Sequence, residues 1–292
     1  MLNAVPPSPS ARGAQAEPPR LARRPPRSLK QEYEEFMLER IEEYKNMLSR
    51  ESLLEIGDEA VRELEANAAG QYLLTEVLLL EHVDRVIARR LRLPSFPRWN
   101  RKHRALRVAQ REPTHWGLDQ GSPIVGLARR LEPGDVVVVA GAGVLAGALF
   151  LAAHDAEVFL LDQDLRAIEA AESRAVSEQL AGRFHALVIR IGTWLPDVTP
   201  SLVVIDPAAL SVARVKDRHA TIAELQARTR AGGVHLILAA PTSREVIPLA
   251  PDALKSLYDQ WQINRAKRSR TGTGFMATKP ERQLDTALNV SE

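Results

Sequence analysis

The apolar positions of this chain change period once, near its middle. From Ser28 they recur at three- and four-residue spacings, and Tyr33, Phe36, Met37, Ile41, Tyr44 and Leu48 form one stripe on an acidic stretch. That pattern predicts an amphipathic helix. Ser49 to Ser52 interrupts it, and Ser52 with Glu55 three residues on has the form of a capping box. A second helix is expected over Asp58 to Asn67 and a third, apolar on most faces, over Tyr72 to Ile87. His82 on the third helix reads as a packed histidine, because no second ligand lies at helical spacing. The segment Leu91 to Arg107 then mixes two prolines, Phe96, Trp99 and a dense set of arginines.

Further on, short apolar runs bounded by glycine and proline take over. Thr114 to Pro123 is a loop, Ile124 to Leu131 a short helix, and Leu131 to Asp135 a turn. Four valines, Val136 to Val139, read as a strand buried on both faces. Val144 to Ala153 is rich in Ala and Leu and predicts a helix, and Glu157 to Leu161 predicts a second strand. A helix from Leu165 to Gln179 precedes a third strand at Ala186 to Ile191. A fourth spans Thr199 to Pro207, and a helix containing Ile222 and Leu225 leads to a fifth at Val234 to Ala240. Leu254 to Trp261 looks helical, and Trp261 to Lys267 with Thr273 to Lys279 are expected as the arms of a closing hairpin. Such alternation demands an α/β fold with a doubly wound, mostly parallel sheet. The expected organisation is a basic disordered tail over 1–28, a helical region over 29–112, the α/β domain over 113–280 and a frayed end over 281–292.

Charge refines this picture. From Glu32 to Glu81 there are 14 acids to 4 bases, whereas from Asp84 to Arg111 there are 10 bases to 1 acid. Two readings of the basic stretch stand side by side. Its aromatics anchor to the core while the arginines answer the acidic helices, which is the expected case, or the arginines hold nucleic-acid phosphate while Phe96 and Trp99 stack on bases. With no cysteine, disulfides, thiolate metal sites and cysteine nucleophiles are excluded. No apolar run is long enough for a membrane span, and the first residues lack the apolar core of a secretory signal. The expectation is a cytoplasmic protein.

Candidate chemistry concentrates in the first βαβ unit. After the valines, Gly141-Ala142-Gly143 permits a tight turn and close approach of backbone to a ligand. The following helix start offers free N–H groups, and Asp162 ends the second strand nineteen positions after Gly143. Strand, glycine turn, helix, strand and carboxylate is the layout that holds an adenosine, with the acid on the ribose hydroxyls. Gly141-x-Gly143-x-x-Ala146 also fits the fingerprint of NAD-binding folds.

From Gly117 to Lys279 the chain resembles the class I, Rossmann-like, S-adenosylmethionine-dependent methyltransferases. LEPGDVVVVAGAG is similar to their first motif, FLLDQD to their second and PSLVVIDPAAL to their fourth; ARTRAGGVHLILAAP resembles the loop and strand that contain their Gly-Gly. A terminal hairpin with the last strand antiparallel is a habit of that family. The resemblance implies S-adenosyl-L-methionine as cofactor, held by Gly141, Ala142, Gly143, Asp162, Gln163, Thr193 and Asp206, with Asp206 also the catalytic candidate and His219 a weaker proton acceptor. It implies a substrate lid in the N-terminal helices and leaves the methyl acceptor unspecified. The alternatives are an NAD-dependent oxidoreductase and a Rossmann domain with a structural role. Three positions depart from the family pattern. Val139 stands where an acid often lies, no acid follows the third strand at Ile191 to Thr193, and Ala208-Ala209 replace the Pro-aromatic pair that clamps a base.

Overall fold

A computed structural model describes residues 28–67, 76–211, 215–238, 251–265 and 274–281. The expected basic tail before Ser28, the start of the third predicted helix at 72–75 and residues 282–292 of the frayed end lie outside the described residues. Among the described residues, no helix is long and apolar enough to cross a membrane.

The N-terminal region is helical. Helix α1 (Leu29–Met47) opens on a capping box: Ser28 Oγ accepts from the Gln31 N–H at 3.2 Å and Gln31 Oε1 accepts from the Ser28 N–H at 2.9 Å. Helix α2 (Arg50–Asn67) begins eight residues earlier than Asp58, with Ser49 Oγ, in the place given to Ser52, accepting from the Ser52 N–H at 3.3 Å. The reason is burial. Ile56 and Ala60 are wholly buried against Ile41 of α1 and against Val86 and Ile87 of α3 (Glu76–Arg90), so the apolar stripe starts before Asp58. Helix α4 (Phe96–Gln110) carries Pro97 in its first turn, where a missing N–H costs nothing.

The α/β part contains α5 (Pro123–Ala128), β1 (Val136–Ala140), α6 (Leu145–Ala153), β2 (Glu157–Asp162), α7 (Leu165–Ser177) and β3 (Phe184–Val188). It continues with β4 (Leu202–Ile205), α8 (Pro207–Ser211), α9 (Val215–Arg228), β5 (Val234–Ile237), α10 (Pro251–Leu257), β6 (Gln262–Arg265) and β7 (Phe275–Thr278). The seven strands run in the order β3-β2-β1-β4-β5-β7-β6. The first five are parallel, and β7 is antiparallel to both β5 and β6. Alternation along β1 divides the core: Val137 and Val139 pack with α5, α6 and α7, while Val138 and Ala140 face the layer of α9 and α10. Strand β3 ends at Val188 and not at Ile191, because its partner β2 ends opposite at Asp162. Gly192, at φ +94°, then turns the chain away.

The helical region docks through α4. Gln110 is wholly buried, donates to the Glu178 carbonyl at 2.6 Å and to Glu178 Oε2 at 3.1 Å, and accepts at its own carbonyl from Trp116 Nε1 at 2.7 Å. Burial pushes the Glu178 carboxyl up, but the Gln110 and His115 hydrogen bonds and the Arg174 charge outweigh it and hold it below the usual carboxylate range. The aromatics of the basic segment turn inward, Trp99 packing against Tyr33, Phe36 and Phe96 and stacking on His103 at 4.5 Å. Arg89 and Arg90 answer Glu59 and Glu63 of α2.

Candidate functional site

Four loops converge at the carboxyl ends of the central strands. The β1 turn is fixed from both sides: the Gly141 N–H donates to Leu161 O of β2 at 2.8 Å, and the Asp206 N–H donates to Ala140 O at 2.8 Å. Gly141 has φ +109°, a region that strains any residue with a Cβ. A Cβ at Gly141 would lie 2.6 Å from Asp206 Cβ and 2.9 Å from Ala209 Cβ, and one at Gly143 would collide with Asp206 Oδ2. The close approach expected of a ligand is therefore made first by the chain itself, because the Asp206 carboxylate lies over the glycine turn.

Asp162 stands at the end of β2, as its spacing predicts, and it is already engaged. Its Oδ2 accepts from the Ala142 N–H at 2.6 Å and its Oδ1 from the Asp164 N–H at 2.9 Å. One carboxylate thus ties the β1 turn to the β2 turn. Asp164 caps α7, its Oδ1 accepting from the Arg166 N–H at 2.9 Å. Asp206 Oδ1 accepts from the Ala208 N–H at 2.9 Å at the start of α8. Gln163 is exposed beside Asp162. Thr193, also exposed, spends its hydroxyl within its own turn by donating to Arg190 O at 2.7 Å. Gly141, Ala142, Gly143, Asp162 and Asp206 are joined by direct contacts, whereas Gln163 and Thr193 make none with the turn. His219 lies half-buried on α9.

Two features escaped the sequence reading. Trp194, next to Thr193 on the same edge, is 56% exposed, and an aromatic straight after a glycine turn was its only signal. At the other end of the sheet a neutral relay is buried. Tyr258 Oη donates to His235 Nδ1 at 2.8 Å, His235 Nε2 donates to Thr229 Oγ1 at 2.8 Å, and Thr229 Oγ1 donates to Leu225 O at 2.6 Å. Since Thr229 has spent its proton on Leu225, the His235 tautomer is fixed by the network. Burial, with the Lys279 charge behind it, pushes His235 down to about 3.

The N-terminal helices are anchored away from the glycine turn. Arg107 and Arg111 of α4 reach Asp155 in the turn before β2 at 2.5 and 3.0 Å. His103 reaches Gln179 at 3.1 Å, and Glu32 of α1 reaches Arg183 at 3.8 Å, both ahead of β3. These contacts lie at the amino ends of the strands, opposite the glycine turn.

No protein-family model matches the chain, and no curated protein matches its sequence. Among solved structures it is similar to the N-methyltransferase NodS of Bradyrhizobium japonicum WM9, at 14% identity over 56% of this chain and 95% of that one, with a TM-score of 0.46. TehB of Haemophilus influenzae is 18% identical over 53% of this chain and 61% of its own, with a TM-score of 0.44. A putative rRNA-methylase of Clostridium thermocellum is 13% identical over 54% and 94%, with a TM-score of 0.44. At these identities and scores nothing about ligand or acceptor passes from those proteins to this chain. The sheet itself decides the fold, through β7 lying antiparallel between β5 and β6 at the end of an otherwise parallel order. It is a doubly wound, Rossmann-like α/β fold. In such a doubly wound sheet the crevice outside the strand ends opens where the order reverses, here between β1 and β4. Gly141, Asp162 and Asp206 sit at that point.

Proposed function

We propose that the crevice at the carboxyl ends of β1 and β4 binds S-adenosyl-L-methionine and that the protein is an enzyme transferring its methyl group to an acceptor nucleophile. The observation that carries this reading is the glycine turn at the reversal point of the strand order, tied by Asp162 on one side and covered by Asp206 on the other. The same sheet disfavours the NAD alternative, because nicotinamide-binding sheets continue in parallel order where this one inserts an antiparallel β7.

The residues fit the donor in part. Gly143 leaves backbone open once the Asp206 carboxylate turns aside, whereas Gly141 stays packed against the Cβ atoms of Asp206 and Ala209. Each Asp162 oxygen accepts one backbone hydrogen bond and keeps a lone pair, enough to receive ribose hydroxyls. Val139 is wholly buried and apolar, so any recognition of the donor's amine must come from elsewhere, and Asp206 is the carboxylate that, besides Asp162, reaches the turn. When bound, the donor supplies a methyl group activated on sulfur, which departs as a neutral thioether as the new bond to the acceptor forms. The protein's part is alignment, and Asp206 at the edge of β4 orients the acceptor or takes its proton.

Ultraviolet crosslinking of a methyl-labelled donor, followed by peptide mapping, tests this. Label is expected in peptides spanning 135–164 or 202–211, with protection by S-adenosylhomocysteine. Protection by NAD alone, or label confined to other peptides, overturns the reading.

A further inference from the structure

We propose that the outward half of α4 is a docking surface for the phosphodiester backbone of nucleic acid, held by charge and without base readout. Arg98, Arg101, Lys102, Arg104 and Arg107 lie on this helix and Arg111 caps it, with no acid from Pro94 to Arg111. At about 100° per residue Arg98, Arg101, Lys102 and Arg104 span the arc opposite the buried Trp99, His103 and Gln110, while Arg107 flanks the buried face. Arg98 stands in the first turn, where a cation opposes the helix dipole, so local helix stability does not account for the pattern.

Internal pairing does not neutralise the surface. Arg107, Arg111 and Arg183 share the carboxylate of Asp155, the last at 2.7 Å, and Arg183 also reaches Glu32 at 3.8 Å, so three cations meet two carboxylates. Burial and the neighbouring Arg183 hold the Arg107 pKa below the usual arginine value. Arg98, Arg101, Lys102 and Arg104 are exposed and have no ion-pair partner among the described residues. An open groove of about 350 Å³ runs along this side, walled by Arg104, Arg107 and Arg111 with His103, Leu29 and Val108, and with Glu32 as its one acid.

The chemistry selects the occupant. Five of the six cations are arginines, whose planar fork matches phosphate oxygens. A protein partner calls for an apolar or aromatic centre, and a membrane for an apolar anchor, but Val108 is the one large apolar side chain exposed on α4. Phe96 and Trp99 pack inward and offer no platform for bases, so recognition stays with the backbone. The surface is anchored at the amino edge of the sheet, opposite the glycine turn, and tethers nucleic acid independently of methyl-donor binding.

The test is fluorescence anisotropy of the full chain with a labelled single-stranded oligonucleotide at rising KCl. Four partnerless cations predict a slope of log affinity on log salt of about −3, at about −0.7 per phosphate. Joint substitution Arg98→Gln, Arg101→Gln, Lys102→Gln and Arg104→Gln is expected to weaken binding at low salt by about tenfold or more and to flatten the slope. Arg101→Glu alone on the exposed face gives the same sign should the fourfold variant melt early. Arg129→Gln with Arg130→Gln, which removes exposed charge elsewhere, should leave binding unchanged. Equal loss in that control, salt-insensitive binding or a strong difference between scrambled sequences overturns the proposal. So does α4-dependent binding of anionic vesicles or an acidic peptide in the absence of oligonucleotide binding. Donor titration of the fourfold variant stays at the wild-type value whichever way the crosslinking result falls.

Discussion

Asp162 carries two commitments, and its mutants must be read accordingly. Replacing it with Ala removes charge-assisted acceptors from the Ala142 and Asp164 N–H groups, each bond worth about 1.5–3 kcal/mol. Asp162→Ala is therefore expected to lower the unfolding free energy by about 3 kcal/mol or more in urea titrations and to weaken donor binding by about tenfold or more. Asp164→Ala loses a helix cap, at a cost of about 1 kcal/mol, and should leave donor affinity unchanged. Equal loss of donor affinity in both variants would count against the ribose assignment. At this scale the sequence was informative about identity and not about engagement. The spacing from Gly143 located Asp162, but its bond to Ala142 depends on how β2 lies against β1. The Asp206 carboxylate over Gly143 was likewise illegible, since it follows from β4 pairing with β1.

At the scale of elements, β5 holds the most consequential buried group. His235 is wholly buried, and its ring joins Thr229 at the end of α9 to Tyr258 after α10. An unfolded histidine titrates near 6.5, whereas the folded one is pushed down to about 3. Between those values the unfolded chain binds the extra proton, so this stability is complete above about 6.5 and is lost as the pH falls toward about 3. The limiting slope is about 1.4 kcal/mol per pH unit, and urea midpoints measured from neutral to mildly acidic pH should fall accordingly. Glu32 and Glu178 add their own loss only below the usual carboxylate range, because both are held under it. A His235→Leu chain with an unchanged pH slope would show that another group is responsible. Tyr258→Phe leaves the His235 Nδ1 acceptor without a donor and is expected to cost about 1–3 kcal/mol. Strand and helix alternation was readable throughout the α/β part. The start of α2 and the end of β3 were not, as Ile56 burial fixes one and the length of β2 fixes the other.

On the scale of the whole molecule, two apolar clusters flank the sheet and a smaller third holds α1 to α3 together. The polar and ionic contacts of Gln110, Glu178, Arg107 and Asp155 fasten the helical region to the α/β domain at its amino edge. Composition could locate the acidic and basic blocks but not which edge they would occupy. Residues before Ser28 have too little apolar surface to offset their chain entropy, so deleting them should leave the melting temperature unchanged within error, and a fall of several degrees would contradict that. The central claim concerns the other edge, where the glycine turn meets Asp206. Calorimetric titration of the intact protein and of Gly143→Val with S-adenosylhomocysteine and with NAD tests it most directly. The account predicts that the intact protein binds S-adenosylhomocysteine and not NAD, and that folded Gly143→Val loses that binding. Binding of NAD instead, or undiminished S-adenosylhomocysteine binding in folded Gly143→Val, would contradict it.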